Sequence, residues 1–206
     1  MARIAFCWEL GRGLGHIVPH LDLIRRLVAR GDEVVFLAQD PARVQSVFRH
    51  ENFSVVPLAY GHTPMNRRMR GADSFPQVLF NSGFHDTDAV HARVSDVMAT
   101  FRRIEPDIIV CDYAPTVMLA NHIARRPLVL AGHGFWIPPR SVPMPRFRYW
   151  LGPTSPEFAR REATVLAIIN RAINRFGAPS FANFADFFVA DCHWLCVYKE
   201  LDFYAQ

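Results

Sequence analysis

Several short stretches of this chain are apolar at every position, and that limits its fold more than any other feature. Ile4–Trp8, Val34–Leu37, Ile108–Cys111 and Leu128–Ala131 contain no charged or strongly polar side chain. A strand with one wet face alternates polar and apolar residues, whereas a strand covered on both faces stays apolar throughout. Segments with helical periodicity separate these runs. Ile17, Leu21, Ile24 and Val28 share one face, with Asp22, Arg25, Arg26 and Arg30 on the others and Gly31 as the stop. A short helix is expected over 41–49 and a third strand over Phe53–Pro57. A helix over 87–104 buries Val90, Val94, Val97, Met98 and Phe101, and a short one over 115–125 begins with Pro115. A longer amphipathic helix spans 157–176, a short helix capped by Ser180 follows at 181–188, and Trp194–Tyr198 is the last strand. Strands alternating with helices define an α/β fold: a doubly wound, Rossmann-like parallel sheet in the order 3-2-1-4-5, built as a single domain.

With 206 residues, half of them apolar, the chain is long enough to bury one substantial core. The net charge of +4 suits an anionic ligand such as a diphosphate and is too small and scattered to indicate nucleic acid. Cys7 and Cys111 fall in buried strands, and none of the four cysteines shows C-x-x-C spacing. Free thiols of this kind suit a reducing cytoplasm. The N-terminus runs straight into a strand, so no signal peptide is expected, and no apolar run has the length to cross a bilayer.

Between the first strand and first helix lies Gly11-Arg12-Gly13-Leu14-Gly15-His16. Glycines at such a turn let the backbone approach a ligand, and a following helix N-terminus offers free N–H groups to an anion. Gly11 and Gly13 begin a dinucleotide fingerprint, with Asp40 after strand two in place of the ribose-binding acid, but His16 stands where the third glycine belongs. An NAD(P)-dependent oxidoreductase is therefore one alternative, and a non-catalytic binding module another. Histidine titrates near neutrality and suits general-base work. Asp112 ends strand four, which the predicted order sets beside strand one at the point where the strand order reverses. A carboxylate there orients an imidazole and stabilises its protonated form. The competing reading of Asp112 is a cap on the next helix.

Gly15-His16-Ile17-Val18-Pro19, then Ala29-Arg30-Gly31-Asp32-Glu33-Val34-Val35-Phe36, resembles the opening of inverting GT-B glycosyltransferases, the bacterial UDP-glycosyltransferase-like enzymes in particular. Glu105-Pro106-Asp107-Ile108-Ile109-Val110-Cys111-Asp112 resembles their fourth strand, Gly132–Phe135 with the prolines beyond it their acceptor-side loop, and Leu201-Asp202-Phe203-Tyr204 the end of their first domain. The family often has histidine where this chain has Asp32.

The resemblance implies that residues 1–206 form the acceptor-binding domain, with a nucleotide-sugar-binding domain outside this sequence, and that the chain alone does not catalyse transfer. It implies that His16 deprotonates an acceptor hydroxyl with Asp112 supporting it, and that Gly13 and Gly15 approach the diphosphate or sugar. It requires no cofactor or metal. The implied partners are a nucleotide-sugar donor, a small-molecule or lipid acceptor and, in a split enzyme, a separate donor-binding chain. Sugar-nucleotide epimerases share the two-domain plan.

Residues 136–156 contain six prolines and read as a long functional loop. Phe84, His85, His133, Phe135 and Trp136, all in irregular segments, are the expected acceptor-lining residues, and an aromatic cleft favours a flat or lipidic acceptor. Arg67, Arg68 and Arg70 suit an anionic acceptor or a peripheral position on the inner membrane face. Cys192-His193-Trp194-Leu195-Cys196 carries metal-ligating residue types, but a strand would split them across two faces.

Overall fold

In the computed structural model, which describes residues 1–49, 51, 53–58, 69, 71–202 and 204, the apolar runs lie side by side. The strands are β1 (Arg3–Trp8), β2 (Glu33–Ala38), β3 (Ser54–Pro57), β4 (Ile108–Asp112), β5 (Leu128–Gly132) and β6 (Cys192–Leu195). They form one sheet in the order β3-β2-β1-β4-β5-β6, with every pair parallel. The α-helices are α1 (Leu21–Ala29), α2 (Pro41–Val47), α3 (Phe75–Asn81), α4 (Thr87–Ile104), α5 (Pro115–Ala124) and α6 (Pro156–Asn174). Strand order reverses between β1 and β4, and the register there aligns Trp8 with Asp112.

Alternation along each strand sorts the core into two layers. Ala5, Cys7, Val35, Leu37, Ile109 and Cys111 face α3 to α6, burying Phe75, Leu79, Val90, Val94, Phe101, Val165 and Ile169. Ile4, Phe6, Trp8, Val34, Phe36 and Val110 face the other way, onto Ile17, Ile24, Leu27 and Val44. A side chain two positions beyond Val110 shares its face. Asp112 therefore emerges at the strand end on the side of α1.

The ends of the helices are satisfied locally. Asp40, Asp86 and Ser155 accept hydrogen bonds from the backbone N–H groups of Arg43, Ala89 and Phe158. Glu105 and Arg125 end α4 and α5 with left-handed backbone. Helix α6 buries Phe158, Val165, Ile169 and Ala172, so its apolar stripe is core. Among the described residues no helix is long and apolar enough to cross a membrane.

The structure corrects the sequence reading in four places. No continuous helix begins at Ile17: Leu14–His16 and Val18–His20 form separate 3-10 turns, and the α-helix starts at Leu21. Ile17, at φ −120°, breaks the run, and Pro19 has no N–H to extend it. Helix α3 was not expected: Pro76 suits its first turn, but seven residues are too few for a helical period to stand out. Asn183 rather than Ser180 stands at the N-cap of the short 3-10 helix Phe184–Phe188, its backbone N–H donating to the Asp186 carboxylate at 3.1 Å. The last strand is Cys192–Leu195 instead of 194–198; beyond it the chain turns into a 3-10 helix at Lys199–Leu201. Arg67, Arg68 and Arg70 lie outside the described residues.

Asp73, buried just before α3, fastens the proline-rich loop. Its carboxylate accepts from Arg146 Nε at 2.8 Å and from both Arg148 Nε and the Arg148 backbone N–H at 3.0 Å. Burial pushes the Asp73 pKa up, and the hydrogen bonds from Arg148 and Arg146 outweigh it, leaving it below the ordinary carboxylate value. A carboxyl depressed in the folded state stabilises the fold above its unfolded pKa, and that stabilisation is lost as pH falls through the folded one. Asp73→Ala is expected to cost about 2 kcal/mol, below the value for a fully buried pair because Arg148 is half exposed. Urea denaturation at neutral pH checks it, and the difference between wild type and variant should shrink in acid.

Candidate active site

Where β1 ends, the chain folds back over the sheet and brings His16 and Asp112 together. His16 Nδ1 lies 2.8 Å from Asp112 Oδ1. The other oxygen, Oδ2, lies 2.9 Å from Nε2 of His20. All three side chains are buried. Burial works to raise the Asp112 pKa, but the hydrogen bonds from His16 and then His20 outweigh it and hold the carboxyl below its usual value. An ionised carboxylate only accepts, so the ring nitrogens facing it carry hydrogen: Nδ1 on His16 and Nε2 on His20. Neutral His16 then has its lone pair on Nε2.

That nitrogen faces the glycine turn. Gly11 has φ +84°, and a β-carbon built there would fall 2.3 Å from His16 Nε2. Glycine at 11 lets the imidazole lie against the turn and allows the left-handed backbone. Around Gly13 and Gly15 there is open space within 4 Å. Gly11→Ala is expected to destabilise the fold by about 1–2 kcal/mol through backbone strain and to push His16 off Asp112. Thermal denaturation with the His16 ring signals in NMR checks both effects.

Aromatic rings wall the imidazole. Trp8 stacks on it at 5.8 Å, and Trp136 and Tyr113 lie at 4.6 Å and 5.9 Å between centroids. Trp136 stacks nearly parallel on Tyr113 at 4.9 Å and has His133 at 4.5 Å. Phe135 stacks on Phe147 at 4.3 Å. Gly132, at φ +127°, makes room for the indole: a β-carbon there would sit 2.2 Å from Trp136 Nε1. Burial first, and then the Glu9 charge, push the Tyr113 phenol pKa up, so it stays neutral.

Helix capping beside the site falls to a different carboxylate from the one considered. Buried Glu9 accepts from the Thr116 N–H at 2.6 Å and its hydroxyl at 2.7 Å, satisfying the start of α5. Asp112 is thus free for the histidines.

Of the expected lining residues, Trp136 lies against His16, and His133 and Phe135 lie against Trp136, at 4.5 Å and 5.7 Å between centroids. Phe84 does not line a cleft: it is wholly buried in the core, with the Arg93 guanidinium 4.6 Å from its ring centroid. The unexpected helix α3 carries the chain inward there. His85 is tied by Nδ1 to the carbonyl of Phe80, away from the dyad. Trp8, Glu9, Gly11, His20 and Tyr113 were not among the expected site residues. The four-residue spacing of His16 and His20 was the available signal for His20.

The dinucleotide reading loses its supports. Asp40 is occupied in capping α2 and pairing with Arg43 at 3.3 Å. The glycine turn leads into 3-10 turns and not into an α-helix N-terminus. A cavity of about 530 Å³ does open beside the turn, lined by Trp8, Gly11, Arg12, Gln39, Asp40 and Arg43 among others. In the Cys192–Cys196 segment, His193 Nε2 bonds the carbonyl of Phe188 and the Cys196 backbone N–H donates to Gly132 O. Among the described residues no group of three or more His, Cys, Asp or Glu is placed to hold a metal ion.

A six-stranded parallel sheet with a His–Asp pair at its switch point defines a Rossmann-like α/β domain. The chain has the fold of the N-terminal half of GT-B glycosyltransferases. The glycosyltransferase of kitacinnamycin superposes on 98% of this chain with a TM-score of 0.65 at 18% identity, and the chain covers 47% of it. Glycosyltransferase VinC, solved in complex with dTDP, superposes on 93% with a TM-score of 0.54 at 15% identity, and the chain covers 48% of it. By sequence the chain is similar to UDP-glycosyltransferase 79B8 of Arabidopsis thaliana, 29% identical over 105 residues, which are 48% of this chain and 23% of the relative. No protein-family model matches. The chain thus spans about half the length of these solved structures and about a quarter of the curated relative.

Proposed function

We propose that this chain is the acceptor-binding half of an inverting glycosyltransferase. The observation that carries it is the orientation of His16: Nδ1 is anchored on buried Asp112, and Nε2 is turned to the glycine turn, against Gly11 and on the side where Gly13 and Gly15 leave space. An acceptor hydroxyl entering there gives its proton to Nε2. Its oxygen forms a bond to the anomeric carbon of a nucleotide sugar as the bond to the diphosphate breaks, and the electron pair leaves with the nucleoside diphosphate. Attack opposite the leaving group inverts the carbon. Asp112 stabilises the imidazolium formed in this step. Trp136, Tyr113 and His133 form an aromatic wall against which a flat or apolar acceptor packs.

The nucleotide is gripped mainly by a second half, joined to this chain or supplied as a separate one. The near-half coverage of the solved relatives supports that division. The free thiols of Cys7 and Cys111 support a reducing, cytoplasmic setting.

Calorimetry on the chain tests the reading. Hydroxylated aromatic acceptors should bind, whereas NAD should not. Supplying a nucleotide-sugar-binding half, fused or in trans, should yield sugar transfer with inversion. Tight NAD binding, or no transfer from a folded two-part assembly that binds both substrates, would overturn it.

A further inference from the structure

Each oxygen of Asp112 is taken by a different imidazole, and the proposed chemistry uses only one of them. We infer that His20 is a positioning residue: by holding Oδ2 of Asp112 it fixes the carboxylate plane, and through it the ring orientation and tautomer of His16. The inference rests on the proposed role of His16.

The geometry gives the reason. A carboxylate bonded to one ring alone can rotate about its side-chain torsion and exchange its oxygens. The second bond, 2.9 Å long and made by a ring one 3-10 turn further on, stops that rotation. His20 is buried more deeply than His16, at 1% exposure against 5%, so a substrate hydroxyl meets His16 and not His20. Phe6 and Trp194 hold the His20 ring at centroid distances of 5.7 Å and 6.5 Å.

His20 also carries a cost that packing does not explain. Its other nitrogen, Nδ1, is buried without a hydrogen-bond partner among the described residues. A leucine or methionine would fill an apolar site of this kind with no orphaned polar atom. The fold tolerates the orphan and gains an Nε2–H aimed at Asp112. Because that carboxylate only accepts, its two partners must take opposite tautomers, and the tautomer of His16 is the one that leaves a lone pair above Gly11.

The test compares His20→Leu, His20→Gln and His20→Asn in the 206-residue chain, reading the His16 ring by NMR without any sugar. Wild type should show one His16 tautomer with a protected Nδ1–H. His20→Leu should lose that protection and shift the ring ¹⁵N signals towards a tautomer mixture while the fold is kept. The glutamine amide reaches the place of imidazole Nε2 and should restore the wild-type signature; the shorter asparagine should not. In the transfer-competent assembly His20→Leu should lower kcat about tenfold with acceptor KM unchanged. A wild-type His16 signature in folded His20→Leu overturns the inference. Should the leucine variant not fold, equal signatures for the glutamine and asparagine variants overturn it. Unchanged transfer in His16→Ala would instead sink the proposed function, and the ring spectra tell the two failures apart.

Discussion

His16→Ala is expected to lower sugar transfer by the assembled enzyme roughly 10²–10⁴-fold, the range a positioned general base contributes. The loss should fall on kcat, because the proton is taken in the transition state and the acceptor is held by other groups. Trp136, Tyr113 and His133 remain in place, so acceptor affinity measured by calorimetry on the chain should change little. Stability should fall less than in a variant that removes Asp112, because Asp112 keeps His20 on Oδ2. His16→Gln is a useful companion. It keeps a polar side chain of similar reach but has no basic nitrogen, so it should be nearly as inactive as alanine. A fall in acceptor affinity that matches the fall in rate would mean that His16 binds the acceptor and does not take its proton.

The parts of this molecule legible in the sequence are those set by local patterns. The apolar runs around Phe6, Phe36, Val110 and Leu130 need two covered faces, and a parallel sheet follows from that alone. Placing Asp112 beside the first strand took one further step, the strand order, and the Trp8–Asp112 register agrees with it. His16 was visible because glycines precede it. His20 was marked only by its four-residue spacing from His16, which means little until a buried carboxylate stands opposite both rings. Glu9 shows the same limit. Nothing near it in sequence marks it as the cap of α5, because its partner Thr116 is more than a hundred residues away. Phe84 fails in the other direction. An aromatic after Ser82-Gly83 reads as a loop residue, yet it is wholly buried in the core, and helix α3 before it is too short to show a helical period. Long-range pairing decides all three, and local periodicity carries no record of it.

The same pairing makes Asp112 the most consequential single side chain to remove. Asp112→Ala takes the acceptor from two buried imidazole N–H groups at once. Leaving a buried donor unpaired costs about 1–3 kcal/mol, so the variant is expected to lose about 3 kcal/mol, allowing for the buried carboxylate it also removes. Urea unfolding should show a lower midpoint at an unchanged slope, since the surface exposed on unfolding is the same. Transfer should fall about 10⁴-fold, as when a histidine base loses the carboxylate that sets its tautomer. Asp112→Asn separates the two effects. An amide offers one acceptor oxygen and one NH₂ group, so it can serve only one of the two histidines in its present tautomer. If the NH₂ group meets His16, the ring is forced to carry its proton on Nε2, and the lone pair above Gly11 is gone. Stability should then be largely recovered while activity is not. An alanine variant that keeps wild-type stability would mean that the carboxylate does not hold the two rings, and full transfer by it would mean that His16 needs no anchor to act as the base.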